Sequence, residues 1–162
     1  MKKMIRFALG LILLAFLYPA AFAAQEGISS NTKKIDLLFV LPAEKASISQ
    51  GENSETLTLK IPDKKVIYFS DRPNRVSGNM SLEKFVQQWS KGKDSFKDDP
   101  PNAELVHFGS KKGVTLELTS IKLSKSGDTI EFGIIGEDNL TYDKGAFLFI
   151  DAALAEYAVI LG

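Results

Sequence analysis

The stretch from Ser70 to Arg75 is the first candidate for chemistry, because it places one carboxylate and two guanidinium groups close together in the chain. Each guanidinium group donates two parallel hydrogen bonds, so Arg72 and Arg75 are suited to clamp a carboxylate, a phosphate or a sugar acid. In the structural alternative, Asp71 accepts backbone N–H bonds and fixes a turn, or it pairs with an arginine. We favour the structural interpretation, since ion-pair networks are common outside active sites.

A second polar stretch contains Asp98, Asp99 and Asn102. Two carboxylates and an amide oxygen are ligands that Ca²⁺ accepts. The alternative is a rigid turn, because Pro100 and Pro101 fix φ and favour an extended conformation at Asp99. Two adjacent carboxylates without further spaced ligands favour the turn, so we predict neither a metal ion nor a cofactor.

His107 is the only histidine, and the chain has no cysteine. A single histidine without cysteine does not form a usual zinc site. The catalytic alternative is a general base that works with Asp98 or Asp99. We favour a hydrogen-bonded structural histidine on a short strand, partly buried on the Leu105 face.

Together the two polar stretches form one candidate binding surface. They flank a predicted helix, and they meet only if the chain after the helix folds back along it. In that arrangement an arginine of the first stretch pairs with an aspartate of the second. The residues of this candidate surface are Asp71, Arg72, Arg75, Asp98, Asp99 and Asn102.

Both stretches lie within longer motifs, YFSDRP at 68–73 and DSFKDDPPNA at 94–103, with LFID following at 148–151. With these motifs the chain resembles a family of exported bacterial proteins of uncharacterised activity, over residues from about 57 to 151. The resemblance implies export and a single domain, and it implies no particular substrate.

The elements that position these residues are mainly strands, because short runs of alternating apolar residues are separated by turn residues. Residues 35–41 are apolar at nearly every position, which indicates a strand buried on both faces and closed by Pro42. Val114, Leu116 and Leu118 share one face of a strand candidate, and Ile121 and Leu123 lie on the other. This change of phase indicates a bulge near Thr119 and Ser120, and 126–128 indicates a hairpin turn. The other strand candidates are 57–61, 66–69, 105–108, 130–134, 147–150 and 157–161.

One helix is predicted at 82–91, since Leu82, Phe85, Val86 and Trp89 form one apolar stripe. Ser81 is a suitable N-cap, Met80 and Phe85 form a hydrophobic staple, and Gly92 follows the last turn. About eight short strands and one short helix predict a mainly β fold, either an antiparallel β-sandwich or a partly open barrel. We expect Trp89 to lie in its core.

Residues 1–23 have the features of a cleavable signal peptide. Three cations precede an apolar run at 8–17, and Ala21 and Ala23 are small residues suited to a signal peptidase. An uncleaved membrane anchor is the alternative. We therefore predict a signal peptide at 1–23, a flexible leader at 24–34 and a single β-rich domain at 35–162, located in the periplasm or secreted.

Composition and charge argue against two classes of function, nucleic-acid binding and membrane spanning by the mature chain. Cleavage removes three of 20 basic residues and none of 20 acidic residues, which leaves a net charge of about −3. The mature chain has no basic stripe for nucleic acid, and it has no further apolar run of membrane-spanning length.

These features predict a non-enzymatic binding or structural module of the cell envelope, with an unidentified protein or a small anionic ligand as its partner. The alternatives are a small hydrolase that uses Asp and His groups, and an inhibitor or accessory protein that docks on an envelope enzyme. An enzyme is expected to have a cleft in which two titratable groups meet.

Overall fold

Ten strands and one helix follow the apolar pattern of the chain in the computed structural model, which describes residues 35–51, 54–91, 95–136, 140–142 and 145–152. The predicted signal peptide, the predicted leader and the strand candidate at 157–161 lie outside these residues. The elements are β1 (Leu37–Ala43), β2 (Lys45–Gln50), β3 (Glu55–Lys60), β4 (Lys65–Phe69), β5 (Ser77–Ser81), α1 (Leu82–Gln88), β6 (Asn102–His107), β7 (Val114–Leu123), β8 (Thr129–Ile135), β9 (Leu140–Tyr142) and β10 (Ala146–Ala152).

All ten strands belong to one antiparallel sheet with the order β5-β4-β1-β10-β6-β7-β8-β3-β2-β9. Only Glu44 separates β1 from β2 along the chain, yet five strands lie between them in the sheet. The sheet must therefore curl back towards itself, while β5 and β9 remain as its edges. The predicted mainly β fold is confirmed, and its single open sheet corresponds to the partly open barrel.

Three strands, β2, β5 and β9, were not predicted from the sequence. In β2 only Ala46 and Ile48 are buried, and in β5 only Met80 is buried. Such short strands carry too little apolar periodicity to stand out from loops. Pro42 was wrongly predicted to end the first strand. It lies within β1 opposite Phe147, beyond the last residue of β1 that pairs with β4.

The predicted bulge and hairpin are both present. The pairing of β7 with β8 shifts register between Leu118 and Ser120, and the Gly133 N–H donates to Ser120 Oγ at 3.2 Å. The turn between these strands contains Gly127 at φ +71°, a conformation that glycine adopts without steric cost.

The helix begins as predicted, since Ser81 Oγ accepts a hydrogen bond from the Lys84 N–H at 3.2 Å. It ends at Gln88, three residues before the predicted end. Beyond this point the bonds tighten to three-residue spacing, because the N–H groups of Trp89 and Lys91 donate to the carbonyl groups of Val86 and Gln88. The predicted stop at Gly92 lies outside the described residues.

A cluster of aromatic rings joins the helix to strands on opposite sides of the curled sheet. Phe85 lies 5.2 Å from Phe39 of β1, and Trp89 lies 5.7 Å from Phe132 of β8, between ring centroids. Phe96, in the segment after the helix, packs 4.9 Å from Trp89. Trp89 is 4% exposed, which confirms its predicted place in the core.

Candidate functional site

The stretch with the two arginines is the loop between β4 and β5. The Ser70 N–H donates to the Val76 carbonyl, and the Val76 N–H donates to Ser70 Oγ, both at 2.8 Å. Asp71 Oδ1 accepts the Arg72 N–H at 2.6 Å, a backbone hydrogen bond of the kind that the structural interpretation of Asp71 predicts. The side chains of Arg72 and Arg75 are exposed. β5 lies between this loop and α1, so the loop does not lead into the helix.

The second stretch folds into a turn around Ser95, which is 1% exposed. Ser95 Oγ donates to Asp98 Oδ2 at 2.6 Å, and the Ser95 carbonyl accepts the N–H groups of Asp98 and Asp99 at 2.9 Å. The turn interpretation is therefore confirmed. Within the described part of the chain, no group of three or more His, Asp and Glu side chains is arranged to hold a metal ion.

Both loops lie at the same end of the sheet. Phe69, just before the first loop, is opposite Leu38 of β1, and Leu38 is opposite Asp151 of β10. β6, which begins at Asn102, is the next strand. Three strand spacings of about 4.8 Å separate the loops by about 14 Å along the sheet.

The predicted arginine–aspartate pairing does not form. The ion pairs among the described residues are Lys60–Asp128 and Lys122–Glu131. Neither arginine of the first loop is among these pairs. The reason is the strand order, since β1 and β10 lie between the two loops.

His107 lies at the opposite end of β6 from Asn102. Five residues at about 3.3 Å each separate these ends by about 16 Å. This separation from the strand end that follows the aspartates weakens the predicted catalytic alternative in which His107 acts with Asp98 or Asp99. His107 Nδ1 lies 3.0 Å from the Phe108 carbonyl oxygen, a contact in which the ring nitrogen donates.

Sequence reasoning missed a polar network at the β7–β8 turn. Asp128 Oδ2 accepts from Lys60 Nζ at 2.6 Å, and Asp128 Oδ1 accepts from Ser126 Oγ at 2.6 Å and Thr129 Oγ1 at 3.0 Å. The hydrogen bond from Lys60 is the main cause of a strongly lowered pKa of Asp128. Lys60 and Asp128 are 68 residues apart, so local sequence gave no signal of their contact.

Asp128 should therefore contribute stability at neutral pH that disappears in acid. Its pKa is lower in the folded chain than the usual value near ~4, so the contribution is present above that value and is lost as pH falls below it. We expect Asp128→Asn to lower the denaturant midpoint at pH 7, and we expect the difference from wild type to shrink at pH 3. Glu131→Gln, in the more exposed pair with Lys122, is the control. A difference that is equal at both pH values would contradict the assignment.

A concavity of about 500 Å³ lies on the outer side of the sheet where β2, β3 and β9 meet. Two lysines, Lys45 and Lys60, and several hydroxyl groups line it, a lining suited to a small anionic ligand. Lys60 is already bound to Asp128, which reduces the cationic character of this concavity. Its lining residues are Glu44, Lys45, Ala46, Ser47, Thr58, Lys60, Thr129 and Thr141.

An unusual apolar surface lies elsewhere in the described part of the chain, on the outer side of β4, β1, β10 and β6. Residues that alternate with the core residues on these strands point away from the core, and eight of them are apolar. Ile67, Phe69 and Phe149 are 44%, 37% and 39% exposed, Val40 at the centre is buried at 8%, and the remaining four are partly exposed. We call this surface the outer apolar face, and it consists of Leu38, Val40, Pro42, Ile67, Phe69, Val106, Phe147 and Phe149.

The strand register makes this face continuous. Paired residues of neighbouring strands form rows across the sheet. In the central row Val40 lies between Ile67 and Phe149, and in the row towards Asp151 Phe69 lies beside Leu38. The row on the other side brings Pro42 beside Phe147. Three rows on four strands measure about 13 Å along the strands and about 14 Å across them.

A cleft of about 300 Å³ adjoins the face at the His107 end of the sheet. Phe108, which is 58% exposed, packs 5.1 Å from Phe147 at this cleft. A cleft of this size accepts a large apolar side chain. Its lining residues are Pro42, Ala43, Glu44, Pro62, Asp63, Phe108, Ala146 and Phe147.

Charged groups border the face with opposite signs on its two sides. Lys65, Arg72 and Arg75 lie on the β4 side and are exposed, whereas Glu104 and Asp151 lie on the side of β6 and β10 and are also exposed. Such an arrangement favours one orientation of a bound chain.

The sequence signal for this face was the strand at 35–41, predicted to be buried on both sides. β1 is buried on its core side, but on the other side Leu38 and Pro42 keep partial exposure.

Among the described residues, no helix is both long enough and apolar enough to cross a bilayer. In the comparisons with known proteins, no family model, no curated protein and no solved structure matches the chain.

Proposed function

We propose that this chain is an exported, non-enzymatic binding module of the cell envelope, in the periplasm or secreted. It docks a short apolar segment of a partner protein on the outer apolar face. The observation that carries the proposal is a group of eight adjoining apolar side chains, seven of them at least partly exposed, on the outer side of four neighbouring strands. Contiguous exposed apolar patches with polar borders mark interaction sites.

The dimensions of the face favour a short segment over a large rigid surface. A face of about 13 by 14 Å has a projected area of about 180 Å². This area is well below the ~800 Å² that each partner buries in a standard interface. It does match the footprint of one short helix or strand. The adjoining cleft supplies a place for one anchoring side chain of that segment, and buried anchors contribute most of the binding energy in such complexes.

The charged border defines the chemistry of the segment. Arg72, Arg75 and Lys65 favour acidic groups where the segment crosses the β4 side. The two loops first considered as a composite polar site thus have different parts in this proposal. The β4–β5 loop borders the face, whereas the turn around Ser95 holds the chain that enters β6.

The hydrolase alternative has weaker geometric support. His107 is the last residue of β6, whereas Asp98 precedes the first residue of β6 by four positions and accepts a hydrogen bond from buried Ser95. The alternative of an accessory protein that docks on an envelope enzyme is one form of the proposed function, with the enzyme as partner.

The proposal is tested by photocrosslinking in the producing cells. A benzophenone amino acid is placed at position 69, within the face, or at position 125, in the β7–β8 turn. We expect a discrete protein adduct from position 69 and none from position 125. Phe149→Asp, added to the position 69 chain, should reduce the adduct at least about tenfold, because a charge is costly to bury in an apolar contact. Ile67→Asp repeats the test if the first variant does not fold, and Lys125→Asp is the charge control.

Equal adducts from both positions, or an adduct that survives both aspartate variants, would refute a docking face. A flotation experiment with lipid vesicles distinguishes a protein partner from a membrane. If the purified protein floats with phosphatidylethanolamine–phosphatidylglycerol vesicles and Phe149→Asp abolishes flotation, the face binds lipid and the proposal of a protein partner fails.

A further inference from the structure

One edge strand of the sheet, β5, directs half of its backbone groups away from its neighbour. The Ser70 N–H donates to the Val76 carbonyl before β5 begins, and the Leu82 N–H donates to the Lys64 carbonyl after it ends. Bonded and non-bonded pairs alternate along an antiparallel ladder, so the even-numbered residues of β5 bond to β4. The odd-numbered residues therefore point their N–H and carbonyl groups away from β4.

Ser77 and Asn79 are odd-numbered residues of β5, and both are exposed. In the described part of the chain, β4 is the only strand beside β5, so no second strand bonds to their outward groups. Each of these two residues presents one backbone donor and one backbone acceptor at the edge.

β5 also lacks the features that protect an edge strand from pairing. Its sequence, SGNMS, has no charged residue and no proline, and all five residues pair with β4 without a bulge. β9, at the other edge of the described sheet, has only three residues. β5 is therefore the edge better suited to accept a further strand, which is a common mode of peptide recognition.

The edge is continuous with the outer apolar face. Asn79 is opposite Ile67, and Ser77 is opposite Phe69. An added strand would lie two strand spacings from β4, or about 10 Å. Because the side chains of Ser77 and Asn79 are small, large apolar side chains on the added strand would reach over them to Ile67 and Phe69.

Exposed basic groups lie at both ends of β5. Arg72 and Arg75 precede it, and Lys65 is opposite its last residue, Ser81. These charges favour an added strand with acidic side chains. They disfavour a second copy of this chain, because antiparallel pairing of two β5 strands about a two-fold axis would bring Arg75 of one copy towards Lys65 of the other.

Two acidic side chains near β5 have other contacts. Asp71 accepts the Arg72 N–H, and Glu83 lies near Gly127 of the β7–β8 turn. The basic character of the edge is therefore retained.

We propose that the partner's segment contains an extended acidic stretch that adds to β5 as a further strand of the sheet. Apolar side chains of the same segment then lie on the outer apolar face. This inference rests on the proposed function and specifies how the partner is recognised. Backbone hydrogen bonds to Ser77 and Asn79 hold the strand, and Lys65, Arg72 and Arg75 select its charge.

Proline at position 79 tests the backbone contact. The Asn79 N–H points away from β4, so Asn79→Pro removes a donor that the ladder does not use, and edge strands tolerate proline there. In the producing cells, Asn79→Pro should reduce the position 69 adduct at least about fivefold relative to Asn79→Ala, which keeps the N–H. Equal adducts from these two variants would overturn the added strand. The denaturant midpoint checks that Asn79→Pro is folded, and Ser77→Pro replaces it otherwise.

The adduct also tests the chemistry of the partner. Mass spectrometry of the proteolysed position 69 adduct identifies the crosslinked peptide, which should have a net negative charge. Lys65→Glu combined with Arg75→Glu should reduce the adduct at least about threefold relative to the Lys125→Asp control. A neutral or basic peptide, or equal adducts from the charge variants, would overturn the proposal. So would a peptide of this chain, because a second copy would then be the occupant.

The failures of the two proposals are distinguishable. If Phe149→Asp abolishes the position 69 adduct while Asn79→Pro does not, the segment docks on the face without adding a strand, and the proposed function stands. A benzophenone amino acid at position 77 covers the opposite case. If position 77 gives an adduct that Asn79→Pro abolishes while position 69 gives none, the edge binds a strand and the proposed function of the face fails.

Discussion

Trp89→Ala should lower the free energy of unfolding by about 3–5 kcal/mol, the usual cost of truncating a buried tryptophan. Trp89 is 4% exposed and contacts the rings of Phe85, Phe96 and Phe132. These three partners lie on the helix, on the segment after it and on β8. Its removal should therefore loosen the helix from the sheet, as measured by the denaturant midpoint and by near-ultraviolet circular dichroism.

Trp89→Phe is the matched control. The indole Nε1 is buried and has no hydrogen-bond partner among the described residues. Replacing the indole with a phenyl ring therefore breaks no hydrogen bond to those residues. We expect the phenylalanine variant to lose much less stability than the alanine variant. Wild-type stability in Trp89→Ala would contradict the placement of the helix across the interior of the sheet.

Phe39→Ala and Phe69→Ala should have very different effects, although both phenylalanines lie on neighbouring strands. Phe39 is fully buried and packs on Phe85 and Phe96, so its truncation should cost about 3–5 kcal/mol. Phe69 is 37% exposed on the outer apolar face. Its truncation should cost less than about 1 kcal/mol.

Equilibrium unfolding in urea measures both variants, with equal m-values as the check that each unfolds in two states. Equal losses would mean that the outer side of β4 is packed as tightly as the core side of β1, and the outer apolar face would then not be a surface. The difference between the two variants therefore tests whether one side of the sheet forms the core while the other side is the outer apolar face.

Local sequence was sufficient for the elements with strong periodicity. Ser81 and the stripe from Leu82 to Trp89 predicted where the helix begins, because a cap and an apolar stripe are local properties. The bulge beside Ser120 was visible as a change in the phase of alternation. The helix end was less predictable, since the closing bonds involve Lys97, whose N–H donates to the Trp89 carbonyl at 3.2 Å across the following loop.

The candidate site could be predicted only in part. Sequence identified the arginines of the β4–β5 loop and the aspartates near Ser95 as polar loops with structural roles. It could not show that two strands separate them, because strand order depends on pairing between distant parts of the chain. Nor could it identify the Lys60–Asp128 contact, which forms only after β3 pairs with β8.

By itself the sequence determined a mainly β chain with one capped helix, and it marked the strand at 35–41 as apolar on both sides. Alternation and capping act over a few residues, so they can be interpreted without the fold. The tertiary structure decided which side of that strand faces the core and which neighbours complete the other side. Ile67, Val40 and Phe149 come from three separate parts of the chain, and only the order β4-β1-β10 joins them into one surface.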